Sequence, residues 1–234
     1  MSFSAYRAHW SAVLVIGAFT GVLSGCASPA GDDGEGDSSA EEKPVVLTTF
    51  TVLQDMAAEV AGDRVDVRSL TPAGAEIHEY QPTPGNLRDA ADADLVMENG
   101  LGLEAWFAQF VEQSGADSVT VTEGIDTLPV TRLPGHPDAD SAEDLPVNPH
   151  AWMSPSHAVS YVENIEQALA DLSPDDAEYF EENAQDYITE ITSIRDAARA
   201  ELETAGSDVH LVSCEGAFSY LAEDLGVGEH YLWP

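Results

Sequence analysis

Three side chains in this sequence carry donors that together could hold a divalent transition metal. His78 lies in Glu76-Ile77-His78-Glu79-Tyr80, His150 in Asn148-Pro149-His150-Ala151-Trp152, and Glu215 in Ser213-Cys214-Glu215-Gly216. Two imidazoles and one carboxylate make a mixed nitrogen and oxygen set of the kind that binds manganese, iron or zinc. Seven histidines are present, but only His78 and His150 fall in loops at the expected C-terminal edge of a parallel sheet, and Glu215 holds the equivalent place after a later strand. Taken singly, each has a plainer use: a loop histidine is solvated or partners a turn, and a glutamate before glycine solvates the next helix. Cys214 could add a soft donor, although a small residue at a strand end more often packs. His157, His210 and His230 read as structural or exposed.

These residues need a frame, and the hydrophobic pattern supplies one. Val45 to Thr49 is a β-branched run, Val52 to Ala61 repeats at helical spacing, and Arg64 to Leu70 alternates like a second strand. After the loop with His78 come a helix from Gly85 to Ala91, a strand from Asp94 to Glu98, a helix from Leu103 to Gln113 and a strand from Ser118 to Thr122. Alternation of this kind implies a mostly parallel sheet flanked by helices. Glu123 to Pro149 has five prolines and no periodicity, so it reads as a surface loop. A helix follows from Ser154-Pro155 to Asp171. Ser173 to Gly206 then reads as one long helix, capped by Ser173, started by Pro174 and ended by Gly206. Its apolar stripe is Phe180, Ala184, Tyr187, Ile188, Ile191, Ile194, Ala198 and Leu202, and at about 1.5 Å per residue it would run about 45 Å. That length suits a spine between two lobes. Beyond it lie a strand from Asp208 to Ser213, a helix from Ala217 to Leu225 and a strand from Gly228 to Trp233. The expected fold is α/β, with two lobes of mostly parallel sheet joined by one spine helix and the second lobe incomplete. The expected divisions are a 45–150 lobe, a 151–206 helical connector and a 207–234 partial lobe.

Composition narrows the function classes. The 234 residues include 43 acidic and 8 basic ones, a formal charge of −35, with Lys43 the only lysine. Such a field repels nucleic acid and concentrates cations. Met1 to Gly25 has Arg7 near its start and an apolar core from Ala12 to Val22, too short to span a bilayer and fitting an export signal. Leu23-Ser24-Gly25-Cys26 resembles a bacterial lipobox, which makes Cys26 the lipid-bearing residue, and 26–44 is a flexible acidic tether. The folded part is thus expected at the extracytoplasmic face of the cell membrane.

From Val45 to Pro234 the sequence resembles the metal-binding receptor lipoproteins of ABC importers. The resemblance is carried in order by Thr48-Thr49-Phe50 with Asp55-Met56, His78-Glu79-Tyr80-Gln81-Pro82-Thr83-Pro84, Glu98-Asn99-Gly100 through Glu104-Ala105-Trp106, Pro149-His150-Ala151-Trp152, Ser213-Cys214-Glu215-Gly216-Ala217-Phe218 and Tyr231-Leu232-Trp233-Pro234. It implies that His78, His150 and Glu215 are metal ligands, that the partner is an ABC permease, and that the protein is a monomer with small rocking movements of its lobes. Zinc members of that family generally have histidine at the third position and often a histidine-rich loop, whereas manganese and iron members tend to have glutamate. Glu215 and the single His136 between Leu133 and Pro149 therefore favour Mn2+ as transported ligand, with Zn2+ or Fe2+ as alternatives.

Two departures stand out. Glu76-Ile77 and Asn148 replace an Asp-Pro and an Asp that the family often has, which bears on the rigidity of the ligand loops. The family's fourth ligand, an aspartate after the last motif, has no counterpart, so the chain is expected to be a fragment with open coordination positions. Two further readings compete: a metal-dependent hydrolase or oxygenase on the same donors, and a surface adhesin with structural metal. No His-Glu-x-x-His or Gly-x-Ser-x-Gly motif supports the enzyme.

Overall fold

Strands β1 (Val45–Thr48), β2 (Asp66–Ser69), β3 (Leu95–Glu98) and β4 (Ser118–Thr120) form one parallel sheet in the order β2-β1-β3-β4 in a computed structural model that describes residues 43–130, 145–206 and 208–233. Parallel neighbours need crossovers, supplied by α1 (Thr51–Ala61), α2 (Pro84–Ala91) and α3 (Phe107–Ser114). Register pairs Val46 with Val67 on one side and with Leu95 on the other. Side chains alternate across the sheet, so Val46 and Met97 join a core with Leu53, Val60 and Ile165, while Leu47 and Val96 join Phe107 and Phe110 on the opposite face. Both faces are covered, which is why Val46, Leu47 and Thr48 are all buried rather than alternately so. The chain steps from β1 to β2 in one direction and returns to place β3 on β1's other side. Its connections therefore diverge at the C-terminal ends of β1 and β3 and leave a crevice there.

Helix α2 begins on a complete capping box, with Thr83 and Asn86 bonding each other's backbone N–H, and Pro84 at its first position. The helix expected from Leu103 starts only at Phe107. Gly100, Leu101 and Gly102 have φ near +77°, +56° and +80°, and turns follow, with Leu103 N donating to Gly100 O at 3.1 Å and Phe107 N to Glu104 O at 2.8 Å. Gly100 also needs to be glycine, because a Cβ there would stand 2.5 Å from Thr120 Cγ2.

After β4 the loop expected at 123–149 carries an isolated antiparallel bridge between Pro129 and Val147. A 3-10 turn (Ala151–Met153) leads into α4 (Pro155–Leu172), capped by Ser154, whose Oγ accepts from His157 N at 3.3 Å. The long helix is a 3-10 turn (Pro174–Asp176) followed by α5 (Ala177–Ala205). Its first half packs against α1 and α4 through Phe180, Ala184 and Ile191, and Asn183 Nδ2 donates to Val60 O at 3.0 Å. The expected stripe then breaks, since Ile194 is 60% exposed. Beyond that point the contacts with the rest of the fold include polar ones, as Arg195 reaches Ser156 and the exposed Arg199 reaches Asp224. The spine is thus a core element over its first half and a connector beyond it.

Strands β5 (His210–Glu215) and β6 (Gly228–Trp233) form a separate parallel pair around α6 (Ser219–Leu225). β5 runs through Glu215, two residues past its expected end, and α6 starts two residues later than expected. The export signal 1–25, Cys26, the tether up to residue 42 and His136 lie outside the described residues.

Candidate metal centre

His78 follows β2 on a loop pinned from two sides. Trp106 Nε1 donates to Ile77 O at 3.0 Å, and Tyr80 Oη donates to Asn86 Oδ1 at 3.1 Å while its ring packs 5.4 Å from Trp106. Asn86 Nδ2 donates in turn to Leu70 O at 3.0 Å. Ile77, which stands where a proline was expected from the resemblance, packs against the larger core and gives the loop an apolar anchor instead.

His150 is held at the crevice between β1 and β3. Asn99, directly after β3, donates through Nδ2 to Pro149 O at 3.0 Å and accepts at Oδ1 from Tyr161 Oη at 2.5 Å. The Asn99 turn is itself built on Glu104, a carboxylate 5% exposed that accepts from Asn99 N, Gly100 N and Thr49 Oγ1. Desolvation pushes the Glu104 carboxyl above its ordinary value, and those bonds pull against the rise. The His150 ring packs on Trp152, which packs on Phe50, both at 5.0 Å between centroids.

Glu215 ends β5, with its carbonyl fixed by Ser213 Oγ at 2.7 Å. Strand alternation puts Cys214 on the opposite, exposed face, so it neither packs nor points with Glu215. His157 is structural: its ring lies 5.0 Å from Tyr220, with Nδ1 3.0 Å from Ser154 Oγ. His210 stacks on His230 and pairs with Asp208, away from the other donors.

The three sequence-derived residues converge. Glu215 Oε1 lies 3.3 Å from His78 Nε2 and 3.4 Å from His150 Nε2, the imidazole centroids are 5.3 Å apart, and one donor atom from each residue fits within 4.8 Å of the others. His78 Nε2 is buried and makes no aligned hydrogen bond despite its 3.3 Å approach to the carboxylate. Burial is the main cause that lowers His150 below the ordinary histidine value, with His78 adding to it and Glu215 opposing it, so the ring is neutral and able to donate at neutral pH. A cavity of about 380 Å³ opens beside the donors, walled by Leu101, Val130, Pro146 and Val147. Among the described residues this is the one group of three or more such donors.

A doubly covered parallel sheet, a long helix leading to a second strand pair, and two imidazoles facing a carboxylate make an α/β protein with a candidate divalent-metal site. Residues 46–234 match the family described as the periplasmic component A of the zinc-uptake complex. The chain is 42% identical over 226 residues to the iron-binding protein YfeA of Yersinia pestis, covering 96% of this chain and 69% of that one. It is 30% identical to the manganese ABC transporter substrate-binding lipoprotein PsaA of Streptococcus mitis, covering 91% of this chain and 67% of that one. Its fold matches the manganese-bound periplasmic metal-binding protein of Candidatus Liberibacter asiaticus with a TM-score of 0.73 at 35% identity, over 82% of this chain and 70% of the other. The chain belongs to this ZnuA family of periplasmic metal-binding proteins of ABC importers.

Sequence reasoning placed Asn99 and Glu104 in a motif of the resemblance without giving either a role, and did not single out Tyr161; these three set the His150 loop. Their signal was faint: Asn99-Gly100 after a strand marks a turn, but nothing in the pattern says which carboxylate closes it.

Proposed function

We propose that this protein captures a divalent transition metal, manganese in preference, on His78, His150 and Glu215, and delivers it to an ABC permease. The observation that carries the reading is the approach of both histidine Nε2 atoms to one Glu215 oxygen at 3.3 and 3.4 Å. Glutamate is a hard donor able to bind through either or both oxygens, which suits manganese better than a third imidazole would. Zinc binds such sites more strongly in general, so preference in the cell follows supply and geometry. The metal is cargo.

The family's role in transport supports a receptor rather than a hydrolase or oxygenase. The manganese-bound neighbour and the lipoprotein name of the PsaA relative support, respectively, the metal and a lipid anchor through Cys26. No helix among the described residues is long and apolar enough to cross a membrane. In this reading the protein works at the extracytoplasmic face as a lipid-tethered monomer, and the −35 charge draws cations toward the site. Thermal melts of metal-free protein with manganese test this. Saturation near one hundred times Kd should stabilise by about 2.7 kcal/mol, and His78→Ala, His150→Ala and Glu215→Ala should each lose the shift. An unchanged shift in all three would refute the assignment.

A further inference from the structure

We propose that Asn148 is a positioning residue whose carboxamide sets the gap between His150 and Glu215, so that the metal site is formed before metal arrives; this rests on the ligand assignment above. His150 and Glu215 come from loops on opposite sides of α5 in the chain. One side chain, 1% exposed, joins them: Asn148 Oδ1 accepts from His150 N at 3.0 Å, and Nδ2 donates to Gly216 O at 2.7 Å and to Ser219 Oγ at 3.3 Å.

The two ends of the amide have opposite polarity, and each faces the partner that polarity demands. An apolar side chain there would leave His150 N without its acceptor and the Gly216 carbonyl without its donor, in a site closed to water. Residue 148 is immobilised in turn. Its N–H donates to Leu128 O at 2.8 Å, and its carbonyl accepts from Tyr220 Oη at 2.7 Å. A Cβ at Gly216 would meet the Tyr231 ring at 3.1 Å, so the position beside Glu215 suits glycine. Gly216 adjoins Glu215, and Asn148 is two residues from His150. An opening at this bond therefore separates the two donors directly, and metal sites tolerate errors of only about 0.2 Å in ligand distance.

Cobalt(II) is the probe, because its visible d–d bands report ligand number and geometry while titration gives affinity. In the full chain, Asn148→Ala and Asn148→Leu should weaken cobalt binding by about 10–100-fold, the usual cost of losing a ligand-orienting partner, and should shift the bands. Leu169→Ala, a core truncation remote from the ligand loops, should lower the melting temperature and leave affinity and bands unchanged. Should the Asn148 variants fail to fold, Tyr220→Phe, which frees the Asn148 carbonyl, should move affinity and bands in the same direction by a smaller factor. Folded Asn148 variants with wild-type affinity and spectrum would overturn the proposal, as would an unaltered Tyr220→Phe. His150→Ala and Glu215→Ala in the same assay separate the two claims. If they too bind normally, the ligand assignment fails; if they alone lose cobalt, only the positioning role does.

Discussion

Arg199 of α5 meets Asp224 at the end of α6 at 2.8 Å, and the same carboxylate, 3% exposed, lies across the start of α4, accepting from Ser154 Oγ at 2.8 Å, Ser156 N at 2.9 Å and Ser156 Oγ at 2.7 Å. One anion thus ties three helices, two of which lead directly from the His150 and Glu215 loops. It also meets the positive end of α4.

Removing that anion should be costly. Burial would raise the Asp224 carboxyl, but the bonds from Ser156 and Ser154 and the charge of Arg199 more than offset it and hold it below the ordinary aspartate value. A depressed folded value stabilises above the unfolded value and loses that contribution as pH falls through the folded one, so the loss belongs below about pH 4. Asp224→Ala should cost about 2 kcal/mol at neutral pH, about 4–8 °C in Tm, and Asp224→Asn should flatten the acid limb of a stability–pH curve.

Glu104 predicts the opposite slope. Its folded value is raised, so its ionised form opposes folding, and stability should decline as pH rises from the ordinary glutamate range through the folded value. Glu104→Gln should flatten that decline in urea midpoints measured from pH 4 to 7. Glu104→Ala leaves Asn99 N and Gly100 N without their acceptor and should cost about 2 kcal/mol or more.

The order of strands and helices was legible because apolar runs of four or five residues alternated with helical spacing, and turn residues separated them. His78, His150 and Glu215 were legible because a parallel sheet gathers its loops at one edge. What the sequence concealed was mostly polar and long-range. The stripe through Ile194 failed because helical spacing records an apolar face but not the partner it meets, and beyond it Arg195 and Arg199 make polar contacts. Asn148 read as a change in loop stiffness, since a single amide's two partners, near it and near Glu215, cannot be seen in one dimension.

Metal affinity should depend on pH through the imidazoles. The His150 ring must be neutral to bind, so manganese affinity should fall on acidification below the ordinary histidine range. Burial lowers His150, so its loss comes later in the descent than an ordinary histidine's would. Titrations at stepped pH values check this; affinity rising on acidification would contradict it.

Glu215→His should move preference toward zinc, since a third imidazole replaces the hard carboxylate. Competition between manganese and zinc at equal concentration, read by metal analysis of the eluted protein, should show a lower manganese share than in the wild type.

Anomalous diffraction at the manganese edge from manganese-loaded crystals bears most directly on the central claim. The account predicts one strong peak within about 2.3 Å of His78 Nε2, His150 Nε2 and a Glu215 carboxylate oxygen. A peak elsewhere, or one touching fewer than two of these residues, would contradict it.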